Sequence, residues 1–87
     1  MGKLFSPDEE NFIYAIDIQQ AKEFLKEEFG WEYETSDIEE YPLDTVVSAV
    51  EMVGIGGYNE IYAISIIQHN ERKGIQAPYL IEVDDYY

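Results

Sequence analysis

"FIYAIDIQQAKEFLKEEFG", residues 12–30, decides the fold, and two readings compete for it. Taken from Phe12, the run "FIYAID" (12–17) is β-branched and aromatic and reads as a strand. Asp17 then reads as a helix N-cap, with Gln20 three residues on in the capping-box position. Ile18, Ala21, Leu25 and Phe29 recur at helical spacing with Phe24 beside them, and Gly30 supplies a stop. This predicts a helix over 18–29. Taken from Ser6, "SPDE" (6–9) is itself a helix start, with a Ser cap and Pro at the first helical position. Tyr14, Ile18, Ala21, Leu25 and Phe29 would then line one face of a single helix over 7–29. A helical turn at 7–10 followed by the strand is the middle course. The β-branched and aromatic content of 12–17 favours strand, then helix.

Working outward, residues 31–44 lack a period. Pro42 breaks any helix, and "TSD" and "PLD" carry turn chemistry, so a surface loop with one helical turn near 37–41 is expected. In "TVVSAVEMV" (45–53) the valines tip the reading to a strand, against Ala49, Glu51, Met52 and an Asp44 cap for a helix. "GIGG" (54–57) reads as a turn and "NEIYAISIIQH" (59–69) as a strand. "NERKG" (70–74) reads as a hairpin loop closing on Gly74. "IQAPYLIEV" (75–83) reads as the returning arm, at a sheet edge because Pro78 cannot donate a ladder hydrogen bond. The expected fold is a single α+β domain over 1–87: a small antiparallel sheet of three to four strands with one main helix packed on one face.

Eighty-seven residues leave no room for a second core, and an apolar content of 46% separates the chain from a disordered acidic tail. There is no cysteine, which removes disulfides, thiolate metal sites and thiol nucleophiles and fits a cytoplasmic protein. The N-terminus shows no signal-peptide pattern. The apolar runs, such as Phe12–Ile16, fall far short of the roughly 20 residues of a membrane span. Gly2 and Ser6 match a short acylation pattern, one that arises often by chance, and so acidic a chain is repelled by anionic lipid. No membrane partner is expected.

Nineteen acids against five bases give a net charge of −14. Self-repulsion at that level destabilises a compact state, so folding does not account for the charge. Direct nucleic-acid binding is disfavoured, since little is available to neutralise phosphates. The fitting partner is a basic protein surface. "GWEYETSDIEEYPLD" (30–44) concentrates the imbalance: Glu32, Glu34, Asp37, Glu39, Glu40 and Asp44 without one basic residue. After Lys26 the next basic side chain is Arg72. Trp31, Tyr33 and Tyr41 interleave with these acids, as interface anchors do with steering charges. Glu27 and Glu28 fall in the last turn of the expected helix, where the dipole disfavours anions by about 0.3–1 kcal/mol each. Asp84 and Asp85 repeat the acid–aromatic theme in "EVDDYY" (82–87). These thirteen residues are the expected partner-binding set.

Other motifs read as structural. "GIGG" lacks the glycine spacing and the Lys of a phosphate loop. On a strand, Ser65 and His69 would stand roughly 13 Å apart, too far for a nucleophile and its base. "DIEEYPLD" lacks the calcium-loop spacing. A glycosidase-like carboxylate pair needs a substrate cleft for which so short a chain leaves little room. No catalytic, cofactor-binding or metal residue is expected, and no enzyme activity.

Two partner readings follow. In the first the protein imitates nucleic acid: carboxylates at i and i+4 on a helix, or i and i+2 on a strand, lie roughly 6–7 Å apart and can stand in for phosphates. In size and charge the chain is similar to the small acidic inhibitors that phages and mobile elements direct against restriction or CRISPR machinery. In the second it is an immunity protein or antitoxin capping a basic nuclease toxin. An acidic adaptor subunit is the third reading, and homo-oligomerisation stays open. Charge spread along the whole chain favours the first.

Overall fold

The computed structural model describes residues 2–52 and 57–83. Their order is β1 (Lys3–Ser6), β2 (Ile13–Ala15), α1 (Ile18–Phe29), a 3-10 turn (Thr35–Asp37), β3 (Glu39–Tyr41), β4 (Val46–Met52), β5 (Gly57–Tyr62), α2 (Ala63–Arg72) and β6 (Tyr79–Leu80). The fold is α+β, with an antiparallel four-stranded sheet in the order β3-β1-β2-β6 and a two-stranded sheet β4-β5.

The deciding stretch resolves as strand, then helix. Asp17 is extended, and its Oδ1 accepts the Gln20 N–H at 2.8 Å. Gln20 Oε1 reaches one residue further back than in the usual capping box, accepting the Ile16 N–H at 2.8 Å. Gly30 ends α1 at φ 73°; its N–H bonds to the Lys26 carbonyl and the Trp31 N–H to that of Leu25. This is a Schellman-type stop, and its left-handed backbone favours glycine.

The single helix over 7–29 and the helical turn at 7–10 are both corrected. Ser6 does act as a cap, its Oγ accepting the N–H groups of Asp8 and Glu9 at 3.3 and 2.9 Å. Glu9 then enters the left-handed region at φ 67°, which no right-handed helix continues, and the chain bends back into β2.

β2 is buried along its whole length, and β1 from Leu4 to Ser6, because the sheet is covered on both faces. On one face Phe5, Ile13 and Ala15 pack against Ala21 and Leu25 of α1, with Ile38. On the other, Leu4, Phe12 and Tyr14 meet Ile61, Ala63, Ile66, Ile67 and Ile81. Leu25 is fully buried. Truncation of such a side chain to Ala costs about 2–5 kcal/mol.

Residues 59–69 depart from the expected strand. β5 stops at Tyr62, and Ala63, Ile66 and Ile67 then form the buried stripe of α2 at i, i+3 and i+4. Accordingly "NERKG" is a helix end, not a hairpin loop. Gly74 has φ 78°, and the Ile75 N–H bonds to the Asn70 carbonyl. α2 begins without a side-chain cap. Two of its leading N–H groups, on Ala63 and Ile64, bond instead to the carbonyls of Thr45 and Leu43 at 2.9 and 2.8 Å. Such donors have no partner inside a helix, and here the neighbouring chain satisfies them.

Residues 75–83 do reach a sheet edge, as β6, but their partner is β2: Ile13 stands opposite Leu80 and Tyr14 opposite Tyr79. The bond before Pro78 is cis. The strand at 45–53 is present as β4. The helical turn expected near 37–41 falls earlier, at Thr35–Asp37, and Glu39–Tyr41 are an edge strand. Of the "GIGG" turn, residues 54–56 lie outside the described residues. No helix among the described residues is long and apolar enough to cross a membrane.

Candidate acidic interface

The expected acidic stretch separates into two clefts on either side of the 3-10 turn. Residues 31–34 fold back along α1, and Glu32, Tyr33 and Glu34 form a cleft with Trp31, Lys22 and Lys26. Lys26 Nζ lies 3.7 Å from Glu32 Oε1, and Lys22 Nζ lies 4.0 Å from Glu34 Oε2. The stretch without a basic residue in sequence thus acquires two from α1 in space. These carboxylates are largely exposed, and ion pairs of that kind contribute about 0–1 kcal/mol.

The second cleft has no base in its lining. β3 pairs with β1, placing Glu39 opposite Ser6 and Glu40 opposite Phe5. The pairing brings Asp37, Glu39 and Tyr41 against the 6–11 loop, and Asp8 and Glu9 complete the wall. The loop is rigidified by Asp8, whose Oδ1 accepts the N–H groups of Glu10 and Asn11 at 3.0 and 2.8 Å, while Oδ2 accepts from the Asn11 amide at 2.7 Å. Burial disfavours the Asp8 anion, but the hydrogen bonds from Asn11, Glu10 and Ser6 more than offset it, holding the carboxyl below the usual aspartate range. The Tyr41 hydroxyl donates to Glu39 at 3.4 Å. Desolvation, then the charges of Glu9, Glu39 and Asp8, raise its pKa above the ordinary tyrosine value. Asp37 also accepts the Glu34 N–H at 3.1 Å, which fixes the 3-10 turn between the clefts.

The remaining expected residues are scattered. Glu40 points to the other face of β3, where Lys3 Nζ lies 3.7 Å away. Asp44 is exposed beside the base of the β4–β5 hairpin; the Tyr62 pKa is raised there by the hydrogen bond to Glu60, then the Glu60 charge and desolvation, with the Asp44 charge adding least. Glu27 and Glu28 are exposed at the end of α1. Asp84 and Asp85 lie outside the described residues. Of the three interleaved aromatics, two serve the core. Tyr33 packs on the α1 side, and Tyr41 sets its ring edge-to-face on Phe12 at 5.3 Å. Only Trp31 is exposed, stacked on Phe29 at 4.7 Å.

Sequence reasoning missed Asp8 and Glu9, which "SPDE" offered as a helix start. The β1–β3 pairing joins them to residues some 30 positions away, and nothing local signals that. The separation inferred for Ser65 and His69 is also corrected. Both lie on α2, where side chains four apart are neighbours, roughly 5–6 Å between Cβ atoms. Neither lines a cleft described here. Among the described residues, no group of three or more His, Asp or Glu side chains could hold a metal ion. Compared with protein-family models, with curated proteins and with solved structures, the chain matches none.

Proposed function

We propose that the protein is a non-enzymatic inhibitor that occupies the basic, nucleic-acid-binding surface of a target protein, of the type phages and mobile elements direct against restriction or CRISPR machinery. The observation that carries the reading is the base-free cleft of Asp8, Glu9, Asp37 and Glu39. Its carboxylates come from two segments locked by β pairing and by the Asp8 hydrogen bonds, so a partner would meet them largely preorganised. The target's arginines and lysines would contact this cleft as they contact phosphates. Glu32 and Glu34 add two exposed carboxylates in the neighbouring cleft, across the 3-10 turn. Their pairs with Lys26 and Lys22 are weak enough for a target arginine to exchange into.

The test is capture from a nuclease-bearing host at low and high salt, followed by competition with duplex DNA. A nucleic-acid mimic is displaced by DNA, does not itself shift DNA in a gel, and loses affinity as salt rises, because exposed charges are screened over roughly 8–10 Å. A partner that stays bound under saturating DNA contradicts the reading. The fourfold variant Glu32→Lys, Glu34→Lys, Glu39→Lys, Glu40→Lys should abolish capture while the protein stays folded. Normal binding by that variant would also overturn it.

A further inference from the structure

Apolar side chains exposed around the β6 edge point to a second contact. Phe29 is 39% exposed and Ile75 44%. With Phe24, Tyr79 and Leu80 they line a hollow of ≈ 330 Å³ between the end of α1, the end of α2 and β6. Ile75 is shared with a second hollow of ≈ 330 Å³ beside Ile16, which is 61% exposed. Adjoining at Ile75, the two hollows form a partly apolar furrow beside β6. At one end the stacked Phe29–Trp31 pair forms a ridge between this furrow and the cleft of Glu32 and Glu34.

The charged residues of the furrow are of one sign. Among the described residues its charged lining is Glu28 and Glu82 in the first hollow and Glu71 in the second. Arg72 and Lys73 end α2 but line neither hollow. Both helices finish here, with C-caps at Gly30 and Lys73, and helix C-termini carry partial negative charge. An apolar floor with an anionic rim fits an apolar segment that carries cations. It does not fit nucleic acid or anionic lipid, and a second copy of a chain at −14 would bring like charge to like.

We propose that this furrow takes a cationic amphipathic segment of the partner protein, seating aliphatic side chains on Phe24, Phe29, Ile75 and Leu80 while lysines or arginines meet Glu28 and the adjoining acids. The proposal rests on the acidic-interface reading and adds to it that the partner is anchored as well as steered. Part of its affinity therefore survives high salt.

The experiment uses the full chain and two synthetic peptides of equal charge, one of lysine alone and one alternating lysine with leucine. Trp31 is the single tryptophan and reports on the ridge. The lysine–leucine peptide should bind at least tenfold tighter, keep measurable binding at 0.5 M salt, and shift Trp31 emission to the blue. Amide resonances of Phe29, Ile75 and Leu80 should move with it and stay still with oligolysine. Ile75→Ser and Phe29→Ser alter exposed side chains, so the fold should hold while the tenfold advantage disappears. Equal affinity for the two peptides would overturn the furrow and leave the acidic interface standing. Binding of neither would sink both. Dimerisation of the free protein that Ile75→Ser abolishes would give the furrow to a second copy and overturn the proposal.

Discussion

The two acidic clefts hold the same chemical group in opposite circumstances. Beside α1, Glu32 and Glu34 face Lys26 and Lys22 across 3.7 and 4.0 Å, and their side chains are largely exposed. Beside β3, Glu39 and Asp37 face Asp8 and Glu9, and no lysine or arginine lines the space. The first cleft has balanced its charge through long, exposed pairs. The second has fixed its geometry and left its charge unbalanced. A run of acids in a sequence says nothing about which of these a given carboxylate will do. Binding of a cation rewards the second arrangement, because repulsion already present is relieved and no resident pair has to be broken.

The largest separation between the clefts should appear with two double variants that change net charge equally. Glu9→Gln with Glu39→Gln removes two carboxylates from the unbalanced cleft. Glu32→Gln with Glu34→Gln removes two from the balanced one. Exposed charge contacts are each worth up to about 1 kcal/mol, so the first pair, losing two, should weaken oligoarginine binding by about tenfold. The second pair should weaken it by about threefold or less, because each carboxylate it removes was already engaged. Calorimetry at 50 mM salt reads both. Equal losses would mean that only net charge matters and that the clefts do not differ.

Asp8 is the next test, since the second cleft depends on the loop it holds. Asp8→Ala should destabilise the fold by about 1 kcal/mol, as loss of a capping side chain does. The carboxyl titrates lower in the folded protein than in the unfolded chain. Its contribution is therefore complete above the unfolded value, near 3.9, and fades as pH falls through the folded one. Denaturant midpoints between pH 6 and 2 should drop more steeply for the parent than for Asp8→Asn. Parallel curves would show that the loop owes nothing to this charge.

How much of this was legible in sequence follows the same division between local and distant partners. α1 was readable end to end, because its cap, Asp17, and its stop, Gly30, are side-chain and backbone devices within the segment. α2 was not. Its opening N–H groups are satisfied by Thr45 and Leu43, about twenty residues earlier, so no polar cap advertises the start. Alternation of Ile61, Ala63, Ser65 and Ile67 fits a strand as well as Ala63, Ile66 and Ile67 fit a helix. The acidic content of 30–44 was plain, but its sorting into two clefts required the fold: Lys22 and Lys26 approach through the turn after Gly30, Asp8 and Glu9 through β1. Trp31 reads in sequence as an interface anchor among the acids. It stands outside both core clusters, so Trp31→Ala should lower partner affinity and leave the melting temperature nearly unchanged.

The smallest expected effect concerns the lysines that make the first cleft different. Lys22→Gln with Lys26→Gln removes both of its balancing charges. The pairs they leave are long, and their carboxylates are mostly in solvent, so unfolding free energy should fall by less than about 1 kcal/mol. Binding should move the other way. The cleft would then resemble the one beside β3 in charge, though not in rigidity, and association with oligoarginine should quicken at 50 mM salt. That gain should vanish near 1 M salt, where the screening length is roughly 3 Å. Trp31 lines this cleft, so its fluorescence follows the association directly. If stability instead falls by several kcal/mol, the lysines hold residues 31–34 in place. The α1 cleft would then be as fixed as its counterpart, and only the balance of charge would separate the two.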